Sequence, residues 1–316
     1  MILAQYCVRS VIMKASRKYL SGLDIQSDYM SIAQYSPQEN AVLSVAIQPF
    51  TADNGGDSWE CAGQELKKLK NKFKFYSPEV ACSLPTEYAI IKHIQLESEE
   101  TEVNELIEWE LAQQIIGSID EYSFDFQECV AEGNGAYKNY LTVAFRHSLV
   151  ERFSTLLKAN KLHPQVIDLD AFAIINTFEA NYRERIYTPA VIVHGESEKT
   201  KMILTRNGNY IDMECFNYTY ESLNADSYSL QLQSEINRFL ALNHRIDVQP
   251  RVSLYFTGSL FTQMEFRDAV CAKMGSGELL YPFRKVGCRI AIDSDQLMTY
   301  APQLSVAVGL ALRGNE

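Results

Sequence analysis

The order of the predicted strands and helices is the feature of this sequence that most restricts its fold. Three short runs of alternating apolar residues, separated by turn residues, predict an antiparallel meander of strands. A helix should follow, because Trp59, Leu66 and Phe73 fall on one face of a helical pattern. A further apolar run predicts a fourth strand that stops before Pro85. These strand predictions cover residues 19–25, 29–35, 41–47 and 80–84.

The same order of elements recurs in the second half of the chain. Apolar residues at helical spacing predict a helix over residues 229–243, with strands before and after it. Two copies of a β-β-β-α-β order predict a domain duplication, in which each copy is a ribonuclease H-like lobe with its own sheet. The length of 316 residues agrees with this, because one hydrophobic core seldom serves so long a chain. The strands of the second copy are predicted at residues 190–193, 201–205, 210–216 and 252–256.

An additional set of elements lies between the two copies. Residues 88–165 predict a strand, a helix, two strands, a helix and a final strand, which we interpret as an α+β subdomain inserted in the first lobe. A helix over residues 171–185 should return the chain to the first lobe. The predicted division is an N-terminal extension (1–18), the first part of the first lobe (19–87), the inserted subdomain (88–165), the return helix (166–186) and the second lobe (187–316).

The net charge of −11 limits the partners that this protein is expected to have. It argues against a non-specific nucleic-acid binder, which needs clustered Lys and Arg against phosphates, and against a broad membrane-binding face, while a local basic patch is compatible with it. No apolar run approaches the roughly 20 residues of a membrane helix. We therefore expect a cytoplasmic protein, and we expect any association with a membrane to come through a partner. Residues 1–18 fit either a helix packed on its own domain or an amphipathic helix that faces a membrane or a partner.

The cysteines and histidines do not indicate a metal site. The seven cysteines are dispersed and never form a CxxC pair, and the five histidines form no HxxxH pair. We expect reduced thiols and no bound metal. The sequence also contains no GxSxG motif, Walker A loop or HExxH motif, so it nominates no catalytic residue.

Several short motifs carry a resemblance to a known family. They lie at residues 22–27 (GLDIQS), 110–116 (ELAQQII), 120–122 (DEY), 143–146 (VAFR) and 306–314 (VAVGLALRG). With these motifs the chain resembles the PilM family of type IV pilus assembly proteins, an actin-like family related to FtsA. The resemblance implies an α/β, actin-like, two-lobed fold with an α+β subdomain inserted in the first lobe.

The resemblance also implies a nucleotide site between the two lobes. In such a site, backbone N–H groups of tight turns surround the phosphates, and carboxylates organise Mg²⁺ and its waters. The positions that match the family's nucleotide contacts are Asp24, Gln26 and Ser27 in the first phosphate turn, Glu235 and Arg238 beside the nucleoside, and Gly258 and Ser259 at the late glycine pair.

This sequence departs from the family pattern at two of its phosphate elements. Gln26 replaces a glycine of the first turn, and its side chain would crowd a phosphate. In the second half the metal-organising Asp is missing around His194, and the charged Glu196 follows where a small hydroxyl residue is expected. We therefore expect neither ATPase activity nor a firmly bound cofactor, and residual binding of ATP with Mg²⁺ is left open.

By resemblance, the expected function is that of a non-enzymatic scaffold in pilus assembly. The partners implied are the cytoplasmic N-terminal tail of a PilN-like bitopic membrane protein and other inner-membrane assembly components. The tail would lie as an extended peptide in a groove between the first lobe and the insertion, bordered by residues 88–96, 101–116 and 140–145.

Three other functions stay open at this point. The first is an active actin-like ATP-binding protein or ATPase that polymerises. The second is a sugar kinase of the same superfold, although we find no candidate for its substrate-base Asp. The third is a scaffold of a related type II secretion system, which sequence does not separate from a pilus scaffold. Formation of a homo-oligomer is also left open.

Overall fold

The computed structural model describes residues 19–51, 58–129, 136–218, 223–243, 252–290 and 293–315. The predicted N-terminal extension, residues 1–18, lies outside the described residues. Within the described ranges, no helix has both the length and the apolar character that a membrane crossing requires.

Strands and helices alternate along the chain. The strands are β1 (Leu20–Ile25), β2 (Tyr29–Ser36), β3 (Ala41–Pro49), β4 (Glu79–Leu84), β5 (Ile90–Glu97), β6 (Tyr122–Cys129), β7 (Tyr137–Arg146), β8 (His163–Leu169), β9 (Ala190–Gly195), β10 (Lys199–Arg206), β11 (Asn209–Asn217), β12 (Ser253–Thr257), β13 (Glu278–Leu279) and β14 (Gly287–Cys288). The helices are α1 (Ser58–Lys72), α2 (Val103–Ala112), α3 (His147–Ala159), α4 (Asp170–Asn181), α5 (Ala225–Leu242), α6 (Met264–Met274), α7 (Ser294–Tyr300) and α8 (Ser305–Ala311).

The two lobes are built on sheets of the same topology. In the first lobe the strand order is β14-β3-β2-β1-β4-β8, in which β1, β2 and β3 form an antiparallel meander and β4 runs parallel to β1 and β8. The second lobe repeats this order and these directions in the sheet β11-β10-β9-β12-β13. The predicted duplication of a β-β-β-α-β unit is therefore confirmed.

The inserted subdomain is smaller than predicted. β5, β7 and β6 form an antiparallel sheet, and α2 covers it through the buried Leu111. The predicted range 88–165 also included α3 and the start of β8, but β8 pairs with β4 in the sheet of the first lobe. In α3, the ring of Phe153 lies 5.1 Å from that of Trp59 in α1. Since α3 buries its apolar face in the first-lobe core, the insertion ends near Arg146.

Two glycines of the sequence motifs are required by close packing of α8. A Cβ atom added to Gly22 in β1 would lie 1.9 Å from the carbonyl oxygen of Ala307 in α8. A Cβ atom added to Gly309 would lie 1.8 Å from the carbonyl oxygen of Ala173 in α4. Helix α8 is therefore in direct backbone contact with β1 and with α4, and the first lobe needs glycine at both positions.

The C-terminal motif, residues 306–314, contributes an arginine to a buried ion pair. Nε and Nη2 of Arg313 lie 2.9 Å and 2.7 Å from Oδ2 of Asp168 in β8, and both side chains are almost fully buried. The arginine of the motif thus fastens the end of the described chain to the sheet of the first lobe.

Candidate functional site

The turn after β1 holds a buried carboxylate. Asp24 is 1% exposed and accepts hydrogen bonds from Nε2 of Gln26 at 3.1 Å and 3.0 Å. Oγ of Ser83 in β4 donates to the same carboxylate at 2.9 Å. Burial raises the pKa of Asp24 to about 6, although these hydrogen bonds act in the opposite direction. The predicted phosphate-turn residues Asp24 and Gln26 are thus brought together, and they bind each other.

A second buried carboxylate lies in the turn after β9, on the other lobe. Glu196 is 1% exposed and accepts a hydrogen bond from the hydroxyl of Tyr29 in β2 at 3.0 Å. Ser259, in the turn after β12, donates to it through Oγ at 2.7 Å and through its backbone N–H at 3.3 Å. Glu196 therefore links the first lobe to the late turn where the glycine pair was predicted.

The surroundings of Glu196 favour its charged form. Burial alone would raise the pKa of Glu196, but the neighbouring His194 and the hydrogen bonds from Ser259 and Tyr29 outweigh burial, so the pKa lies below its usual range. Nε2 of His194 lies 2.9 Å from Oε1 of Glu196, a distance that fits an ion pair although the angle does not fit a hydrogen bond. An anionic carboxylate therefore fills the space between these two turns.

The turns after β1 and β9 also touch each other directly. Oγ of Ser27 lies 3.4 Å from Oγ of Ser197, the residue that follows Glu196. The predicted site residue Ser27 is therefore at the junction of the two lobes.

Gly258 has a backbone conformation that favours glycine. Its φ is +99°, and an added Cβ atom would lie 2.3 Å from the carbonyl oxygen of Gly195. Its N–H donates to the carbonyl oxygen of Pro302 at 3.1 Å. The tight turn itself therefore explains this glycine, without any ligand.

A buried group of charged residues makes a further contact between the lobes. Nζ of Lys201 in β10, which is fully buried, contacts Asp170 at the start of α4 and lies 2.7 Å from Glu87 after β4. The backbone N–H of Thr86 also donates to Asp170, at 3.1 Å. Burial opposes all three charges, but the attraction between Lys201 and the two carboxylates outweighs it. The pKa of Lys201 is therefore raised, and the pKa values of Asp170 and Glu87 are lowered.

The remaining predicted site residues lie elsewhere on the second lobe. Nη2 of Arg238 in α5 lies 2.8 Å from Oε2 of Glu235 and 2.6 Å from Oε2 of Glu214 in β11. These ion pairs join α5 to the edge of the sheet, and none of the contacts described for Arg238 or Glu235 reaches the turns around Asp24 and Glu196.

Sequence reasoning did not identify several residues that the structure brings into this site. Tyr29, Asp170 and Lys201 were not singled out, and Glu196 was noted only as a departure from a pattern. A lysine within the apolar run of β10 is the one local signal, because a charge on a buried strand needs a partner. The identity of that partner depends on the other lobe and cannot be inferred from local sequence.

The predicted walls of the peptide groove pack against one another. β5 pairs with β7 along its whole length, and α2 packs onto them in one apolar cluster that includes Ile94, Leu111 and Tyr140. These three elements therefore form the core of the insertion, and the groove between the insertion and the first lobe stays a prediction.

A cavity of about 530 Å³ lies instead between the insertion and the second lobe. Its lining comes from β5, β11 and the end of α5, including Ile91, Ile211 and Leu242. Nε2 of His93 in β5 lies 3.2 Å from the carbonyl oxygen of Ile211 in β11. β5 and β11 are each the edge strand of their sheet. Oδ1 of Asn243 is buried without a hydrogen-bond partner among the described residues. The cavity thus combines apolar side chains with the edges of two sheets.

Comparison with known proteins relates this chain to pilus assembly. A family model described as type IV pilus assembly protein PilM matches residues 22–205, which is more than half of the chain. Among solved structures, the PilM-PilN type IV pilus biogenesis complex superposes with a TM-score of 0.79 at 21% identity, covering 96% of this chain and 100% of that chain.

The fold is also shared with a protein from another system. The ethanolamine utilization protein EutJ from Carboxydothermus hydrogenoformans superposes with a TM-score of 0.51 at 10% identity, covering 93% of this chain and 89% of that chain. A search of curated proteins gave no match. With two sheets of one topology and these structural neighbours, the chain has the predicted actin-like fold.

Proposed function

Because this chain belongs to the PilM family of type IV pilus assembly proteins, we propose that it is a scaffold that binds the cytoplasmic N-terminal tail of a PilN-like membrane protein. The family match carries this proposal, and the similarity to a PilM-PilN complex over nearly the whole chain supports it. The scaffold would be cytoplasmic and would reach the inner membrane, and other assembly components there, through this tail.

The tail would dock at the cavity between the insertion and the second lobe. The free edges of β5 and β11 offer backbone N–H and C=O groups that can pair with an extended peptide. Ile91, Ile211 and Leu242 offer an apolar surface for its side chains. This position differs from the groove that the sequence predicted between the first lobe and the insertion.

Titration of a synthetic tail peptide into the full chain, followed by calorimetry, tests this docking. Leu242 lines the cavity and is 60% exposed, so Leu242→Asp should leave the fold intact and weaken peptide binding about tenfold or more. Leu230 lies on the same helix, is 53% exposed and is not part of the described lining, so Leu230→Asp is the matched control. Equal affinity of the two variants would reject this position, and no binding by the wild type would reject the scaffold function.

We further propose that the cleft between the lobes is a structural joint and not an ATPase site. The residues there do not fit ATP with Mg²⁺. Both oxygens of Asp24 already accept hydrogen bonds from Gln26, and the carboxylate of Glu196 occupies the N–H and hydroxyl donors of Ser259. A phosphate brought to these donors would meet the negative charge of Glu196, which costs free energy in a buried site.

Calorimetry with Mg-ATP and a non-hydrolysable analogue tests whether the cleft between the lobes binds nucleotide. The wild type should not bind either nucleotide at millimolar concentration. The double variant Gln26→Gly, Glu196→Ser restores two of the residue types that the family pattern requires and removes the carboxylate of Glu196, so it should gain nucleotide binding. Micromolar binding by the wild type would instead support the alternative, an actin-like ATP-binding protein that polymerises, and light scattering with Mg-ATP would then detect filaments.

A further inference from the structure

A group of lysines lies at the ends of two neighbouring helices of the first lobe. Five of the eight residues from 67 to 74 are lysines, and two more lysines follow at the end of α3. We call these residues the lysine patch. It consists of Lys67, Lys68, Lys70, Lys72, Lys74, Lys158 and Lys161.

The two parts of the lysine patch form one surface. α1 and α3 pack side by side, because a Cβ atom added to Gly63 would lie 3.4 Å from Leu156. At the far end, Nζ of Lys70 donates to the carbonyl oxygen of Asn160. Burial and then the charge of Lys161 lower the pKa of Lys70, as expected where positive charges converge.

Most of this positive charge is directed to solvent. All patch lysines except Lys70 are exposed. Among the described residues, the ion pair of Lys68 with Glu65 is the only one that a patch lysine makes. Lysines in the last turn of a helix stabilise its dipole, but Lys67 precedes that turn, and Lys74 and Lys161 lie beyond the helix ends. Helix stability therefore does not account for the whole patch.

The N-terminal segment joins the fold beside the lysine patch. The ring of Tyr19, the first described residue, lies 5.2 Å from the ring of Tyr76, which is 45% exposed and follows Lys74 by two residues. The preceding 18 residues contain four further basic side chains. These are Arg9, Lys14, Arg17 and Lys18. The basic stretch of the sequence that precedes Tyr19 thus leads to a residue beside the lysine patch.

We propose that the lysine patch binds the anionic phospholipid surface of a membrane. Lysine carries a compact charge without the fork that arginine uses for bidentate phosphate recognition, and this suits diffuse attraction to a charged surface. An exposed tyrosine beside the lysines suits the interface of a membrane. The net charge of −11 on the whole protein opposes contact with any polyanion, so binding would depend on the local positive charge of the lysine patch. The patch is on the first lobe and does not overlap the cavity proposed for the tail.

Co-sedimentation of the full chain with vesicles tests the proposal. The wild type should bind vesicles rich in phosphatidylglycerol, release them at high salt, and not bind phosphatidylcholine vesicles. Each surface lysine changes membrane affinity about fivefold, so the patch variant Lys67→Gln, Lys74→Gln, Lys158→Gln should bind about a hundredfold more weakly. The control Lys138→Gln, Lys273→Gln, Lys285→Gln has the same net charge, and its lysines lie outside both the patch and the cavity, so it should bind within about twofold of the wild type.

Further measurements separate membrane binding by the patch from a general loss of folding or tail binding, and from binding of nucleic acid. The patch variant should keep its melting temperature and its affinity for the tail peptide, which shows that folding and tail docking are intact. Equal vesicle binding by the patch and control variants, or stronger wild-type binding to duplex DNA than to the vesicles, would overturn the proposal.

Discussion

At the scale of single residues, the side chains between the lobes bind one another. Gln26 donates to both oxygens of Asp24, and Glu196 accepts from Tyr29 and Ser259. A buried carboxylate is tolerated only where such partners offset its loss of hydration. The pKa values of the two carboxylates shift in opposite directions. Burial raises the pKa of Asp24, whereas His194 and the hydrogen bonds outweigh burial and lower the pKa of Glu196.

Asp24 should therefore give stability a measurable dependence on pH. Its pKa is about 6 in the folded protein and 3.8 in the reference state. Between these pH values the folded protein holds a proton that the unfolded chain has released, so the contribution of Asp24 to the free energy of unfolding falls as pH rises, by about 3 kcal/mol in all.

The variant Asp24→Asn removes this titration. Its free energy of unfolding, relative to that of the wild type, should rise between about pH 4 and pH 6 and stay level above that window. Urea unfolding at several pH values measures the difference. Parallel pH profiles for the two proteins would show that Asp24 titrates normally.

At the scale of elements, α8 is held by backbone contacts that leave no room for a side chain. Its Gly309 faces the carbonyl oxygen of Ala173 in α4, and its Ala307 faces Gly22 in β1. These glycines belong to two of the motifs that carry the resemblance to the family, at residues 22–27 and 306–314. Their position in a tight helix-strand junction gives them a packing role that is independent of any nucleotide.

The variant Gly309→Ala should lower stability, because the new Cβ atom would lie 1.8 Å from a backbone oxygen and force α8 and α4 apart. We expect a loss of at least about 1–3 kcal/mol, as for other overpacked sites. Gly63→Ala is a matched control in α1, where the Cβ atom would make an ordinary contact at 3.4 Å. It should raise stability by about 0.5–1 kcal/mol through better helix propensity. Similar effects of both changes in denaturant unfolding would contradict the packing argument.

At the scale of the whole molecule, buried polar contacts join the lobes. Lys201 of the second lobe reaches Asp170 and Glu87 of the first, and Glu196 reaches Tyr29. The insertion adds a further contact, from His93 to the carbonyl oxygen of Ile211. Movement of one lobe against the other would have to break buried, charge-assisted hydrogen bonds, so we expect the two lobes to move as one body.

Lys201→Met should weaken this joint strongly, because it leaves the buried carboxylate of Asp170 without its cation. The expected loss is about 3–5 kcal/mol of unfolding free energy. Lys199 contacts the same Glu87 from a partly exposed position, so Lys199→Met should cost no more than about 1 kcal/mol. Denaturant unfolding gives both values, and hydrogen exchange in β10 should rise only in the first variant. Equal losses would mean that burial of the ion group adds nothing.

Sequence alone was enough to predict the duplicated order of elements and the presence of an insertion, and it contains the glycine-bearing motifs. These features follow from local rules, because alternation and helical spacing are set by neighbours within a few residues. The resemblance carried by the GLDIQS and GLALRG motifs also led to the right family and to the actin-like fold. The local pattern around Gln26 and Glu196 indicated an altered turn but not its partners.

Which elements belong to one lobe and which side chains are in contact depend on how the whole chain packs. α3 and β8 follow the insertion directly in sequence, yet they complete the first lobe, because the buried face of α3 fits the apolar side of α1. Glu196 meets Tyr29 across 167 positions of the chain. Such contacts depend on how two separately folded sheets pack, and the burial that sets the charge of these groups exists only after the lobes have come together.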